Sequence, residues 1–193
     1  MKKFLLIAIM AVAGVAVAAA QPRAIGLRLG YGIEFSYEHG FGESNMLSVD
    51  AGCPGLFLDH TFGGEAVVTY DWINPFGADF SSVWSHKGEW NWYMGVGAGV
   101  GAYWHQVYTN EVATGAWDDT YFVGVAGRVG VEYNFWFPLQ LSIDWRPVIG
   151  PEFYTYRDTD GRYWDDPSAE NKVGFNMSGL YMGSISLAVR YKF

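Results

Sequence analysis

The chain has 193 residues, with 12 lysines and arginines against 20 aspartates and glutamates and a formal net charge of −8 at pH 7. That balance offers no basic surface for nucleic acid, and the single cysteine, Cys53, excludes an internal disulfide and has no neighbours at metal-ligand spacing. Aromatic residues make up 18% of the chain, more bulk than a core of this size needs, and glycine fills 25 positions.

The first residues, Met1-Lys2-Lys3, the apolar run Phe4 to Val17 and the small residues Ala18-Ala19-Ala20, have the three parts of a secretory signal, with cleavage expected after Ala20. No cysteine stands at that site to carry a lipid anchor. Residues 1–20 are thus expected to be removed and 21–193 to form one domain, with 10 basic residues left against 20 acidic once Lys2 and Lys3 are gone, a net charge of −10. No apolar run beyond the signal is long enough to cross a bilayer as a helix.

The remaining chain reads as strands, by period-two alternation of apolar with polar or small residues. From Ala24 to Glu38 the odd positions are apolar and the even ones include Arg28, Glu34 and Glu38. The stretch is either one long strand or a hairpin turning at Gly30-Tyr31-Gly32, which keeps Leu29 and Ile33 on one face. Met46 to Cys53 opposes Leu47, Val49 and Ala51 to Ser48 and Asp50, and Glu65 to Trp72 opposes Ala66, Val68, Tyr70 and Trp72 to Glu65, Thr69 and Asp71. Trp90 to Trp104 carries an apolar band (Trp92, Met94, Val96, Ala98, Val100, Ala102) with tryptophan at both ends, opposite Tyr93, Tyr103 and four glycines. Those glycines, 95, 97, 99 and 101, are expected to make room for Tyr93, Tyr103 or arginines. Thr120 to Asn134 sets Tyr121, the valines and Tyr133 against Arg128 and Glu132. Leu139 to Ile149 sets Leu141, Ile143 and Trp145 against Gln140, Ser142, Asp144 and Arg146. The last strand, Leu180 to Phe193, alternates Tyr181, Ile185, Leu187, Val189, Tyr191 and Phe193 with Ser184, Ser186, Arg190 and Lys192.

Aliphatic centres with aromatic ends are what a strand presents when its apolar face meets lipid and its rims meet the interface. The aromatic girdle expected on this reading comprises Trp90, Trp92, Trp104, Tyr121, Tyr133, Trp145, Tyr181, Tyr191 and Phe193. The polar faces then look inward. An eight-stranded barrel has an interior just wide enough for its own side chains, so Arg28, Arg128, Arg146 and Arg190 are expected to pair there with Glu34, Glu38, Asp50, Glu65, Asp71, Glu132 and Asp144 as a polar plug, since a lone buried charge costs several kcal/mol.

The ending Arg190-Tyr191-Lys192-Phe193, together with Gly26-Leu27-Arg28-Leu29-Gly30, Asn91-Trp92-Tyr93, Glu132-Tyr133-Asn134-Phe135, Pro138-Leu139-Gln140-Leu141 and Asp144-Trp145-Arg146-Pro147, resembles the small eight-stranded outer-membrane barrels of the OmpA/OmpX type, in particular compact barrel proteins common in Bacteroidota. The resemblance spans nearly all of residues 21–193. It implies an all-β, up-and-down antiparallel barrel in the outer membrane of a Gram-negative bacterium, with lipid and the machinery that reads the C-terminal strand as partners. An even strand count selects the hairpin at Gly30-Tyr31-Gly32. Eight strands then place connections 39–45 and 135–138 in the periplasm and loops 105–119 and 150–178 outside, where they could meet an extracellular ligand. A hairpin hidden within 150–178 is the alternative.

The function expected is a non-enzymatic envelope role, structural or in surface interaction, with a narrow porin-like channel as the alternative. A third reading is a rim-sited lipid-modifying enzyme using His60 or His105, but neither has a serine beside it in sequence, and His39 and His86 fall on the periplasmic side. No phosphate loop, paired-cysteine motif or histidine-rich pattern occurs, and Asp158-Thr159-Asp160-Gly161 lacks the remaining ligands of a calcium loop, so no cofactor or metal is expected.

Overall fold

The computed structural model describes residues 23–42, 44–54, 61–77, 87–109, 112–157, 169–176, 180 and 185–193. The expected signal segment, Tyr181, His60, His86 and the Asp158-Thr159-Asp160-Gly161 stretch lie outside these. The described strands are β1 (Arg23–Leu29), β2 (Gly32–Phe41), β3 (Asn45–Pro54), β4 (Thr61–Pro75), β5 (Gly88–Thr109), β6 (Val112–Phe135), β7 (Leu139–Trp145), β8 (Val148–Arg157), β9 (Ala169–Asn176) and β10 (Ile185–Lys192). They form one antiparallel sheet in the order β5-β4-β3-β2-β1-β10-β7-β6-β8-β9, and pairing of β5 with β6 closes it into a ring.

Ten segments make eight staves. Both β7 and β8 pair with β6 in a single register, Val129 facing Trp145 and Ala126 facing Val148, so together they are one strand interrupted at Arg146-Pro147. Proline has no amide hydrogen for the ladder. Along β9 and β10 the register does change. Gly150 faces Asn176, which in an unbroken ladder would set Trp145 against residue 181; it faces Ile185 instead, four residues further on.

The first hairpin turns at Gly30-Tyr31-Gly32, with Leu29 opposite Ile33. Chain ends and short connections share one rim: Arg23 N donates to Phe193 O (3.2 Å), Phe193 N donates to Arg23 O (2.9 Å), and β2 passes to β3 through residues 42–44. There Gly42 adopts φ +72°, a left-handed conformation that glycine enters without a Cβ penalty. Connections 76–87 and 136–138 lie on the same rim.

Two expectations are corrected. Residues 105–119 are not a loop but the far end of the β5–β6 hairpin, with only 110–111 between the strands, and 150–178 contains the far half of the seventh stave and β9. These extensions place polar residues such as Asp118, Thr120, Glu152 and Lys172 among their aromatics, so no clean one-faced apolar pattern marks them. Backbone pairing with the neighbouring stave makes them strands. Since β9 extends the eighth stave, the count stays at eight.

The glycines of β5 admit different neighbours from those expected. A Cβ on Gly95 would collide with the Asp71 carboxylate, one on Gly101 with the Phe122 ring, and one on Gly97 with the backbone of Val68 and Thr69. Tyr93 is accommodated instead by Gly130, whose Cβ would lie 2.6 Å from the Tyr93 hydroxyl oxygen. Gly97→Val is expected to lose the folded, heat-modifiable band on a gel run without boiling, because overpacking costs about 1–3 kcal/mol even where side chains can yield and here backbone must. Val96→Leu, on the outer face of the same strand, is expected to keep that band.

Candidate functional site

Alternation along each stave sends one set of side chains into the lumen, and that set is charged. Arg28 comes from β1, Glu34 and Glu38 from β2, Asp50 from β3, Glu65 and Asp71 from β4, Arg128 and Glu132 from β6, Asp144 from β7, Arg146 from the break that follows it, and Arg190 from β10. All are buried except Glu65, which is half-buried; Arg190 is 1% and Asp71 0% exposed.

Ten of the eleven form one continuous network. Arg28 donates through Nη1 to Glu34 (2.7 Å) and through Nη2 to Asp144 (2.6 Å). Arg146 reaches the other Glu34 oxygen (2.7 Å), Asp50 (2.7 Å) and Glu65 (2.8 Å). Arg128 pairs with Asp71 (3.2 Å), Glu38 (3.2 Å) and Asp144 (3.1 Å), and its guanidinium carbon lies 4.8 Å from the centroid of the Tyr93 ring. Arg190 pairs with Glu38 (3.2 Å) and donates to Ser36 (2.9 Å) and Ser142 (2.7 Å). Thus Glu34 joins Arg28 to Arg146, Asp144 joins Arg28 to Arg128, and Glu38 joins Arg128 to Arg190. The eleventh, Glu132, is held by amides: Asn91 (3.0 Å), Asn134 (2.7 Å) and Gln140 (2.7 Å) donate to its carboxylate.

Hydroxyl groups add further hydrogen bonds to the carboxylates. Asp71 accepts from Ser48 (2.8 Å) and Thr69 (3.0 Å), Asp50 from Ser36 (2.5 Å), Asp144 from Tyr93 (3.1 Å) and Glu65 from Tyr103 (3.1 Å). These positions belong to the polar faces already legible in the sequence, but only the fold shows which acid each one serves. A second feature has no polar character. Val67, Phe122, Ala126 and Val148 pack together inside the barrel, with Tyr103 stacked on Phe122 at 5.5 Å between ring centroids. Val67 and Phe122 are apolar residues at inward positions, so a break in the alternation was the available signal.

On the outer surface the valines of β5 and β6 are exposed, Val96 by 56% and Val100 by 52%, while Gly99 is buried and Gly97 partly so. Trp104 and Tyr121 meet edge-on at one end of this band (6.5 Å), and Trp90 packs on Tyr133 at the other (4.9 Å), where Phe135, Trp136 and Phe137 continue the cluster. Trp92, Tyr191 and Phe193 also lie toward the rim with the chain ends. Trp145 does not mark a rim: Ile149 and Phe153 follow it on the same face of a stave that runs on to Arg157. Charge is inside and hydrocarbon outside. This is a closed eight-stranded antiparallel β-barrel with a charged lumen and an apolar outer wall.

The barrel resembles two solved structures in outline. A major outer membrane protein from Thermus thermophilus aligns with 90% of this chain and 100% of its own at 12% identity and a TM-score of 0.47. Ail, the attachment invasion locus protein of Yersinia pestis, aligns with 90% of this chain and 95% of its own at 12% identity and a TM-score of 0.35. No family model and no curated protein matches the chain in sequence.

Of the histidines, His39 lies on the outer face of β2 near the rim with the chain ends, and His105 lies in β5 opposite Thr61 and Asp118. Among the described residues no group of three or more His, Cys, Asp or Glu side chains is arranged to hold a metal ion.

Arg128→Met is expected to destabilise the barrel by about 3–5 kcal/mol in urea titrations in detergent, because Asp71, Glu38 and Asp144 then lose a shared counter-charge in a buried site. Arg28→Met and Arg146→Met are expected to be non-additive by roughly 0.5–3 kcal/mol in a double-mutant cycle, since both arginines hold Glu34.

Proposed function

We propose that the protein is an integral barrel of the outer membrane that does not conduct, does not catalyse, and presents its far end to the cell's surroundings. The reading is carried by one observation: exposed valines, leucines and aromatics on the outside enclose a network of buried arginines and carboxylates. In a water-soluble barrel the two sets would exchange places. From Tyr121 to Tyr133 the apolar band of β6 covers about 40 Å of strand at ~3.4 Å per residue, or about 30 Å upright at a tilt of roughly 40°, close to the ~25 Å apolar band of such barrels.

The lumen supports the sealed state. Its arginines are engaged by carboxylates from several staves at once, and the apolar cluster at Phe122 fills space beyond them. The far rim supports a surface role. There β5, β6, β8 and β9 run on past the first hairpin as a sheet, with Phe153, Val173 and Phe175 exposed on its outer face. On this reading lipid surrounds the barrel, the strand ending at Phe193 is the segment recognised during assembly, and the extensions 105–119 and 150–178 face any extracellular ligand.

Two measurements test the proposal. In planar bilayers the folded protein is expected to give no stepwise current; discrete openings would favour the porin-like reading instead. In lipid vesicles Val125→Arg is expected to cost about 2–4 kcal/mol, as a charge on the lipid face near mid-depth does, whereas Val173→Arg is expected to cost only about 0–1 kcal/mol, because Val173 is paired through Phe153 with Tyr121 at the end of the band. Equal costs at the two sites would overturn the placement in the membrane.

A further inference from the structure

We propose that the lumen holds two protons in neutral solution, on Glu132 and Asp71, and that the barrel loosens as alkaline solution draws them off. Among the described residues six carboxyl side chains are buried inside the barrel, Glu34, Glu38, Asp50, Asp71, Glu132 and Asp144, against four guanidinium groups, an excess of two acids. The half-buried Glu65 and Lys192 add one charge of each sign and leave that excess unchanged. A buried carboxylate without a counter-charge is so unfavourable that it takes up a proton instead.

The contacts show which acids are left over. Glu34, Glu38 and Asp144 each meet two arginines, and Asp50 meets Arg146 at 2.7 Å. Glu132 makes no ion pair with any described residue; the neutral amides of Asn91, Asn134 and Gln140 hold its oxygens. The charged groups that face it from other staves are Glu38 of β2, which repels it, and Arg190 of β10, which is already paired with Glu38 at 3.2 Å. Asp71 is lopsided. Ser48, Thr69 and Arg128 all donate to its Oδ2, while Oδ1 is buried with no partner. The charged groups around it are Arg128 of β6, shared with Glu38 and Asp144, and Glu38 itself. An unpartnered oxygen is far less costly on a neutral carboxyl than on an ionised one.

The sign of the effect follows from linkage. Above about pH 6 the unfolded chain has ionised both carboxyls, whereas the folded barrel keeps their protons, so folding binds protons and stability falls as pH rises. Each proton retained makes the unfolding equilibrium constant rise about tenfold per pH unit, and two make it rise about a hundredfold. Once both have left, Glu38, Asp71 and Glu132 crowd like charge around Arg128 and Arg190. That repulsion acts between β2, β4 and β6, in the half of the lumen nearer the chain ends.

The test uses the full chain folded in detergent. Its infrared spectrum in neutral solution is expected to contain the carbonyl stretch of buried protonated carboxyl groups, which carboxylates lack, in two components that fade together as the solution is made alkaline. Glu132→Gln and Asp71→Asn, which copy the neutral acids in shape, are each expected to keep the folded band and to remove one component. Urea titrations between about pH 6 and pH 8 are expected to show an unfolding constant that rises about a hundredfold per unit in the wild-type chain and about tenfold in Glu132→Gln. The histidines titrate alike in both chains and cancel in the difference. A wild-type spectrum without that stretch, a stability that holds or grows with pH, or a slope that Glu132→Gln leaves unaltered would each overturn the proposal. If a variant loses the folded band, the wild-type spectrum and slope decide alone, the two components supporting the proposal and their absence refuting it.

Discussion

A lumen just wide enough for its own side chains leaves four buried arginines little alternative to their carboxylates. Arg28, Arg128, Arg146 and Arg190 come from four separate staves, and the acids they hold come from β2, β3, β4 and β7. Each ion pair therefore joins two staves rather than following one strand, some between neighbours, as Arg28 with Glu34 across β1 and β2, and some across the lumen, as Arg128 of β6 with Glu38 of β2. Removal of any guanidinium strands acids on other walls. Breaking a buried pair is costly mainly because of the charge left behind. The network thus sets a register between staves that hydrogen bonding along the ladders alone would leave open to a slip, which would turn every side chain to the wrong face.

The glycines and the apolar cluster follow from the same constraint. Asp71 reaches Arg128 only because Gly95 has no side chain in its path, and Tyr93 lies under the guanidinium because Gly130 yields space opposite. Where the arginines end, toward Val67 and Phe122, the lumen no longer needs charge to fill it, and ordinary apolar packing takes over. A narrow interior that must be filled without voids explains why the inward glycines of β5 stand beside bulky groups such as Asp71 and Phe122 on the neighbouring staves.

Much of this was legible in the sequence because both faces of each strand are specified. Leu27 and Arg28, Val129 and Arg128, or Val189 and Arg190 differ so sharply in hydration that their alternation fixes the wall and its inward residues. The hairpin at Gly30-Tyr31-Gly32 also followed, from an even strand count. Legibility failed where that contrast fades. Residues 105–119 and 150–178 mix tyrosine, tryptophan and acids without a repeating apolar face, so their pairing could not be read locally. Trp145 looked terminal because the alternation ends near Pro147, although the ladder resumes in register at Val148. Which acid meets which arginine depends on strands far apart in sequence, and no spacing encodes it.

At the seam, β1 and β10 join residues 24 and 192, almost the full length of the described chain apart. Without that ladder the sheet has two raw margins, and Arg28 and Arg190, one on each, are open to water. Closure between the two ends of the chain is therefore what shields these ions and satisfies the border amides together.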